Sequence, residues 1–136
     1  MYSVAIDGPA GSGKSTIAKL LAKELNISYV DTGAMYRAIA LKAKEENLDT
    51  EEKLKHALKS INIDLNEDRI FLDDADVSDK IRTEEISKLA SDISKLDFVR
   101  EMLVSIQQNI ASKKPVVMEG RDIGTVVLKD AKYKFF

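Results

Sequence analysis

The chain has no cysteine, a single histidine and no marked surplus of charge of either sign. Without cysteine, disulfides and thiolate-held metals are excluded, which suits the reducing cytosol. Its 21 basic and 23 acidic residues leave a net charge of -2, too little for the broad basic footprint that nucleic acid or anionic lipid requires. No stretch is long and apolar enough to span a bilayer. Met1 leads straight into a strand pattern, with no room for a cleavable export signal. A cytoplasmic monomer with neither nucleic-acid nor membrane partners is therefore expected. The one histidine, His56, lies in Lys55-His56-Ala57-Leu58 and reads as an ordinary helix residue. Arginine is scarce as well: only Arg37, Arg69, Arg82, Arg100 and Arg121 among the 21 basic residues. Lysine covers the solvated surface, so the few planar forks able to bind phosphate or a base edge bidentately become functional candidates.

What is present is enough for one compact domain: 136 residues, 44% of them hydrophobic. Near the N-terminus, Gly8-Pro9-Ala10-Gly11-Ser12-Gly13-Lys14-Ser15 matches G-x-x-x-x-G-K-[ST]. Val4-Ala5-Ile6 before it reads as a buried strand. Ile17, Leu20, Leu21 and Leu25 after it repeat at helical spacing. Glycines let backbone N–H groups turn inward as an anion nest, and the following helix presents its positive end. The run from Gly8 to Thr16 is thus expected to bind the phosphates of ATP. Lys14 supplies a point charge to the β- and γ-phosphates, Ser15 a hydroxyl ligand for Mg²⁺, and Thr16 a second hydroxyl near the α-phosphate.

Further along, Asn26 stops the first helix and Ile27 to Val30 form a short strand ending at Asp31. Asp31-Thr32-Gly33 breaks it, and Tyr36, Ile39, Ala40 and Ala43 mark one face of a second helix. Thr50 reads as an N-cap for a helix carrying Leu54, Ala57, Leu58 and Ile61. Alternation at Ile63, Leu65, Ile70 and Leu72 around the turn Asn66-Glu67-Asp68-Arg69 predicts a hairpin. Helical spacing returns through Ile86, Leu89, Ala90 and Ile93, then through Phe98, Met102, Ile106 and Ile110. Val116-Val117-Met118 is a buried-strand candidate, and Tyr133 begins another strand. Met35, Met102 and Met118 read as core filling.

In parallel α/β sheets ligands gather at the carboxyl ends of strands, here Asp7-Gly8, Asp31-Thr32-Gly33 and Glu119-Gly120-Arg121-Asp122. Thr32, Tyr36 and Arg37 place a hydroxyl, a ring and a guanidinium at one helix start, within reach of an acceptor phosphate. Each also suits a helix start for structural reasons alone.

Taken together, several segments resemble the bacterial-type cytidylate kinases. They are Gly8 to Thr16, Asp31 to Arg37, Asp76 to Thr83, Ala90-Ser91, Val99-Arg100 and Glu119 to Thr125. The resemblance implies a P-loop α/β three-layer sandwich with a parallel sheet and a small antiparallel monophosphate-binding insert at residues 61–84, all within one domain spanning residues 1–136. It implies phosphoryl transfer from Mg²⁺-bound ATP to CMP or dCMP. Ser91, Arg100 and Asp122 would read cytosine. Its exocyclic amino group suits the acceptors, and its N3 and O2 suit the Arg100 fork. Arg37 and Arg121 would hold the acceptor phosphate, with Thr32, Gly33 and Tyr36 beside them. Lys14, Arg37, Arg121 and Asp122 form the expected catalytic set. Glu119 stands where the family motif more usually has aspartate, and it or Asp122 would hold a metal-bound water. The family's arginine-rich lid and last strand have no counterpart here, as expected of an N-terminal portion of a longer protein with little turnover alone. The alternatives are another small-molecule P-loop kinase, or a nucleotide-binding regulatory module without transfer activity.

Overall fold

The computed structural model describes residues 2–9, 11–66 and 69–136. The chain divides into two compact units: one runs to Thr32 and resumes at Val104, and the other is Gly33–Leu103.

The first unit is built on a four-stranded parallel sheet. Its strands are β1 (Ser3–Asp7), β2 (Ser28–Asp31), β6 (Val116–Gly120) and β7 (Tyr133–Phe135), in the spatial order β2-β6-β1-β7. β1 and β6 are almost wholly buried, which is why they read as continuous apolar runs rather than alternating ones. Register places Asp7 opposite Gly120 and Asp31 opposite Glu119, so three strands end side by side. Helix α1 (Lys14–Leu25) packs on this sheet through Ala18 and Ala22 against Val4, Ile6 and Val117. Asn26 ends α1 in the left-handed region, φ 55°, a conformation asparagine tolerates.

The apolar repeat predicted for α1 is helical, but it is not the buried face: Ile17 and Leu20 are both 59% exposed. Close approach of helix to sheet selects the small residues; of the larger ones Leu21 packs against the same cluster while Ile17 and Leu20 stay outside. β7 lies at the sheet edge, pairing only with β1, and Tyr133 and Phe135 along it are exposed.

The second unit begins inside α2 (Thr32–Glu45), which follows β2 with no intervening residue. The strand breaks at Asp31-Thr32-Gly33 as predicted, and it does so without a loop, since Thr32 already opens the helix. Next come α3 (Glu51–Leu58) and a three-stranded antiparallel sheet of β3 (Ile63–Asn66), β4 (Arg69–Leu72) and β5 (Ala75–Asp76). Ile63 pairs with Leu72 and Leu65 with Ile70, as the hairpin pattern predicts. Glu67 and Asp68 of the predicted turn lie outside the described residues. β5, joined to β4 through Asp73 and Asp74 at φ 48° and 70°, is an addition to that hairpin.

The Thr50 cap is present, its hydroxyl accepting from the Lys53 N–H at 3.2 Å, and Thr83 caps α4 (Glu84–Ile93) in the same way. In α5 (Asp97–Lys113) the innermost row is Val99, Leu103, Gln107 and Ala111. The predicted row one position earlier, Met102 included, is only half-buried. Met35 and Met118 are fully buried. No helix among the described residues is long and apolar enough to cross a membrane.

Candidate active site

β1 delivers the chain to Asp7, and the phosphate-binding run turns away from the sheet at Gly8. The Gly8 N–H donates to the Gly120 carbonyl at 3.1 Å, pinning the start of the loop to β6. Gly11 and Gly13 adopt φ of 78° and 81°, where a side chain costs roughly 1 kcal/mol or more. These two positions therefore require glycine. α1 starts directly after Gly13, so its unpaired N–H groups and positive dipole end open onto the loop. The Lys14 ammonium donates to the Pro9 carbonyl at 3.2 Å, which holds the charge across the loop. Ser12, Ser15 and Thr16 are exposed there. Ala10, predicted with them, lies outside the described residues.

Behind the loop sits Glu119, only 2% exposed. A buried carboxylate needs donors for its oxygens. Ser15 Oγ donates to Oε2 at 3.0 Å, and the Tyr29 hydroxyl donates to Oε1. Burial pushes the Tyr29 phenol well above its ordinary range, and the charges of Asp31 and Glu119 push it further. The Lys19 ammonium lies 5.7 Å from the centre of the Tyr29 ring.

The Glu119 backbone has a separate partner. Thr32, 5% exposed, donates through Oγ1 to the Glu119 carbonyl at 2.8 Å. Thr32 is itself the first residue of α2, so its hydroxyl anchors β6 rather than capping the helix. Gly120 sits against that contact: a Cβ there would come within 2.6 Å of Thr32 Oγ1 and 2.8 Å of Ile123 Cδ1.

Arg121 and Asp122 follow, one exposed and the other half-buried. They lie just before a π-helical turn, Ile123–Val127, held by Asp7. Asp7 Oδ1 accepts from the Ile123 N–H at 2.7 Å and Oδ2 from the Gly124 N–H at 2.9 Å. The first unit thus brings together the loop, Thr32, Arg121 and Asp122.

The remaining predicted residues belong to the second unit. Gly33, Tyr36 and Arg37 occupy the first turns of α2, the latter two half-buried. Ser91 is exposed near the end of α4, and Arg100 is exposed early in α5, beside the fully buried Val99. A short turn, residues 94–96, separates those two helices.

Sequence reasoning missed Tyr29 and the task of Asp7. For Asp7 there was a signal, a carboxylate directly following a buried apolar strand. For Tyr29 there was only the two-residue period of β2, which puts Tyr29 and Asp31 on one face.

The residues present fit Mg²⁺. A hydroxyl and a carboxylate, both hard oxygen donors, meet at the mouth of an anion-binding loop. Mg²⁺ typically takes one or two such groups together with substrate phosphates. No cage of three acidic, histidine or cysteine side chains gathers among the described residues.

Parallel strands, a glycine-rich turn with left-handed glycines, and a helix opening on Lys14 and Ser15 define a P-loop fold of the α/β class. The chain belongs to the cytidylate kinase family, whose model, described as cytidylate kinase, matches residues 4–136. Curated relatives named cytidylate kinase agree. The protein of Fusobacterium nucleatum subsp. nucleatum is 51% identical over 98% of this chain and 62% of its own length. That of Caldanaerobacter subterraneus subsp. tengcongensis is 56% identical over 98% of this chain and 60% of its own. That of Thermotoga neapolitana is 51% identical over 99% and 63%. The chain therefore spans about three fifths of the length of the curated relatives it matches.

Proposed function

We propose that this chain carries the nucleotide sites of an enzyme that moves the γ-phosphoryl group of ATP onto CMP or dCMP, yielding ADP and CDP or dCDP. The observation that carries the reading is the joining of Ser15 to Glu119 beneath the Lys14 loop. Such an arrangement serves a metal-bound triphosphate. The names of the relatives support the acceptor.

The acceptor phosphate oxygen is already an anion at neutral pH, so no general base is required. The protein's work is to bring two polyanions into line and neutralise them. Lys14 and the loop N–H groups take the donor phosphates. Arg37 and Arg121 take the acceptor phosphate, with Thr32, Gly33 and Tyr36 lining it. Mg²⁺, held from Ser15 and Glu119, would spread the charge of the triphosphate oxygens. Ser91, Arg100 and Asp122 read the base, and residues 61–84 form the monophosphate-binding insert of a single kinase domain. Uracil sets a carbonyl where cytosine has an amino group, leaving acceptors facing each other at about 1–3 kcal/mol each.

Calorimetric titration with CMP and with UMP tests the assignment. CMP is expected to bind about ten to a hundred times more tightly. Equal binding of both, in protein that binds ATP, would remove the cytosine site.

A further inference from the structure

Glu119 has two carboxylate oxygens, and the chain spends a separate hydroxyl on each. One belongs to Ser15 in the loop. The other belongs to Tyr29, on the edge strand β2. We infer that Tyr29 is a positioning residue for the triphosphate site: its phenol fixes the rotation of the Glu119 carboxylate so that Oε2 faces the loop.

Glutamate has one more rotatable bond than aspartate, and a carboxylate anchored at one oxygen alone can still swing about that contact. A second donor on the opposite oxygen removes the freedom. The Tyr29 ring is itself restrained. It packs against the cluster of Val4, Ile6, Ala18, Ala22 and Val117, with the Lys19 ammonium against its ring. β2 and β6 are paired in parallel with Tyr29 opposite Val117 and Asp31 opposite Glu119, so the strand register sets where the phenol arrives. A phenylalanine at this position would satisfy all of the packing and none of the hydrogen bonding. Tyrosine is thus accounted for by Glu119, not by the core.

The inference rests on the Mg²⁺·ATP reading above and extends it to a residue outside the phosphate-binding run, on β2. ATP affinity is measured by calorimetry with Mg²⁺ and again with EDTA, for the unaltered chain, Tyr29→Phe, Glu119→Gln and the double variant. The unaltered chain is expected to bind ATP more tightly with Mg²⁺. Tyr29→Phe is expected to reduce that metal-dependent gain about tenfold, the scale of one hydrogen bond to a charged group, while ATP affinity in EDTA changes less than about twofold. In Glu119→Gln, the further change to phenylalanine is expected to add nothing.

A gain that survives in Tyr29→Phe overturns the inference. So does a loss of equal size with and without metal, or one that persists in the Glu119→Gln background, because each marks a merely structural tyrosine. Absence of ATP binding by the unaltered chain would overturn the nucleotide reading itself and this inference with it. Should Tyr29→Phe fail to fold, Tyr29→Leu supplies the same test, because it also removes the hydroxyl while keeping an apolar side chain on the cluster of Val4, Ile6 and Val117. It is expected to lose the metal-dependent gain and to leave ATP affinity in EDTA unchanged, so retention of the gain would refute the inference.

Discussion

Replacing Asp7 by asparagine is expected to destabilise the first unit through a segment more than a hundred positions away in sequence. The two oxygens of Asp7 accept from two different backbone N–H groups, those of Ile123 and Gly124. Both donors belong to buried residues. Asparagine keeps one acceptor and turns an NH₂ toward the second N–H, so one bond is lost and two donors confront each other. A hydrogen bond to a charged group contributes about 1.5–3 kcal/mol, and an orphaned buried donor costs a further 1–3 kcal/mol or so. Non-additivity holds the total to about 2–4 kcal/mol. With a urea m-value near 2 kcal/mol/M, the unfolding midpoint should fall by about 1–2 M. Amide exchange supplies the local readout: protection at Ile123 and Gly124 should drop in Asp7→Asn beyond the global change. A midpoint shift below about 0.3 M, with exchange at those two amides unaltered, would mean that Asp7 does not hold the turn at Ile123 and Gly124.

Three more outcomes are expected. Gly120→Ala forces a methyl group to 2.6 Å from Thr32 Oγ1 and should cost about 1–3 kcal/mol in urea unfolding; a neutral result would mean the Thr32 contact yields freely. Lys14→Met should weaken ATP binding about ten- to a hundredfold by calorimetry, and an unchanged affinity would show that the ammonium does not meet the phosphates. Asp76 is held down to about 2, first by hydrogen bonds from Ser78 and then by Arg69. Its folded value lies below the unfolded value of about 3.9, so its contribution to stability is present above pH 4 and fades as pH falls toward 2. A carboxyl-carbon NMR titration should find that midpoint, and Ser78→Ala and Arg69→Ala should each raise it.

The phosphate-binding loop was legible because its chemistry demands fixed residue types at fixed spacing, and the two left-handed glycines show why. Thr50 and the Ile63 to Leu72 pairing were equally readable, since caps and hairpins are local. What the sequence hid was depth. The α1 repeat marks the helix but not its depth, because Ala18 and Ala22 make the closest contact, Leu21 packs beside them, and Ile17 and Leu20 stay outside. In α5 the innermost row includes Gln107, a polar residue that no hydrophobic pattern would place there. β5 has two residues and therefore no period to detect. The Ser15–Glu119–Tyr29 arrangement joins three segments up to 104 positions apart, and only the order of the strands brings them together.

Glu119 also shows how unevenly a site can be exposed to evolutionary change. Its side chain holds Ser15 and Tyr29, whereas its carbonyl holds Thr32. A single codon change can erase the first set of contacts. None at position 119 can erase the last, because every amino acid brings the same carbonyl. Drift at that position can therefore retune how the loop meets its metal while the anchor of α2 persists. An aspartate at position 119 would alter the side-chain contacts and leave the Thr32 anchor in place.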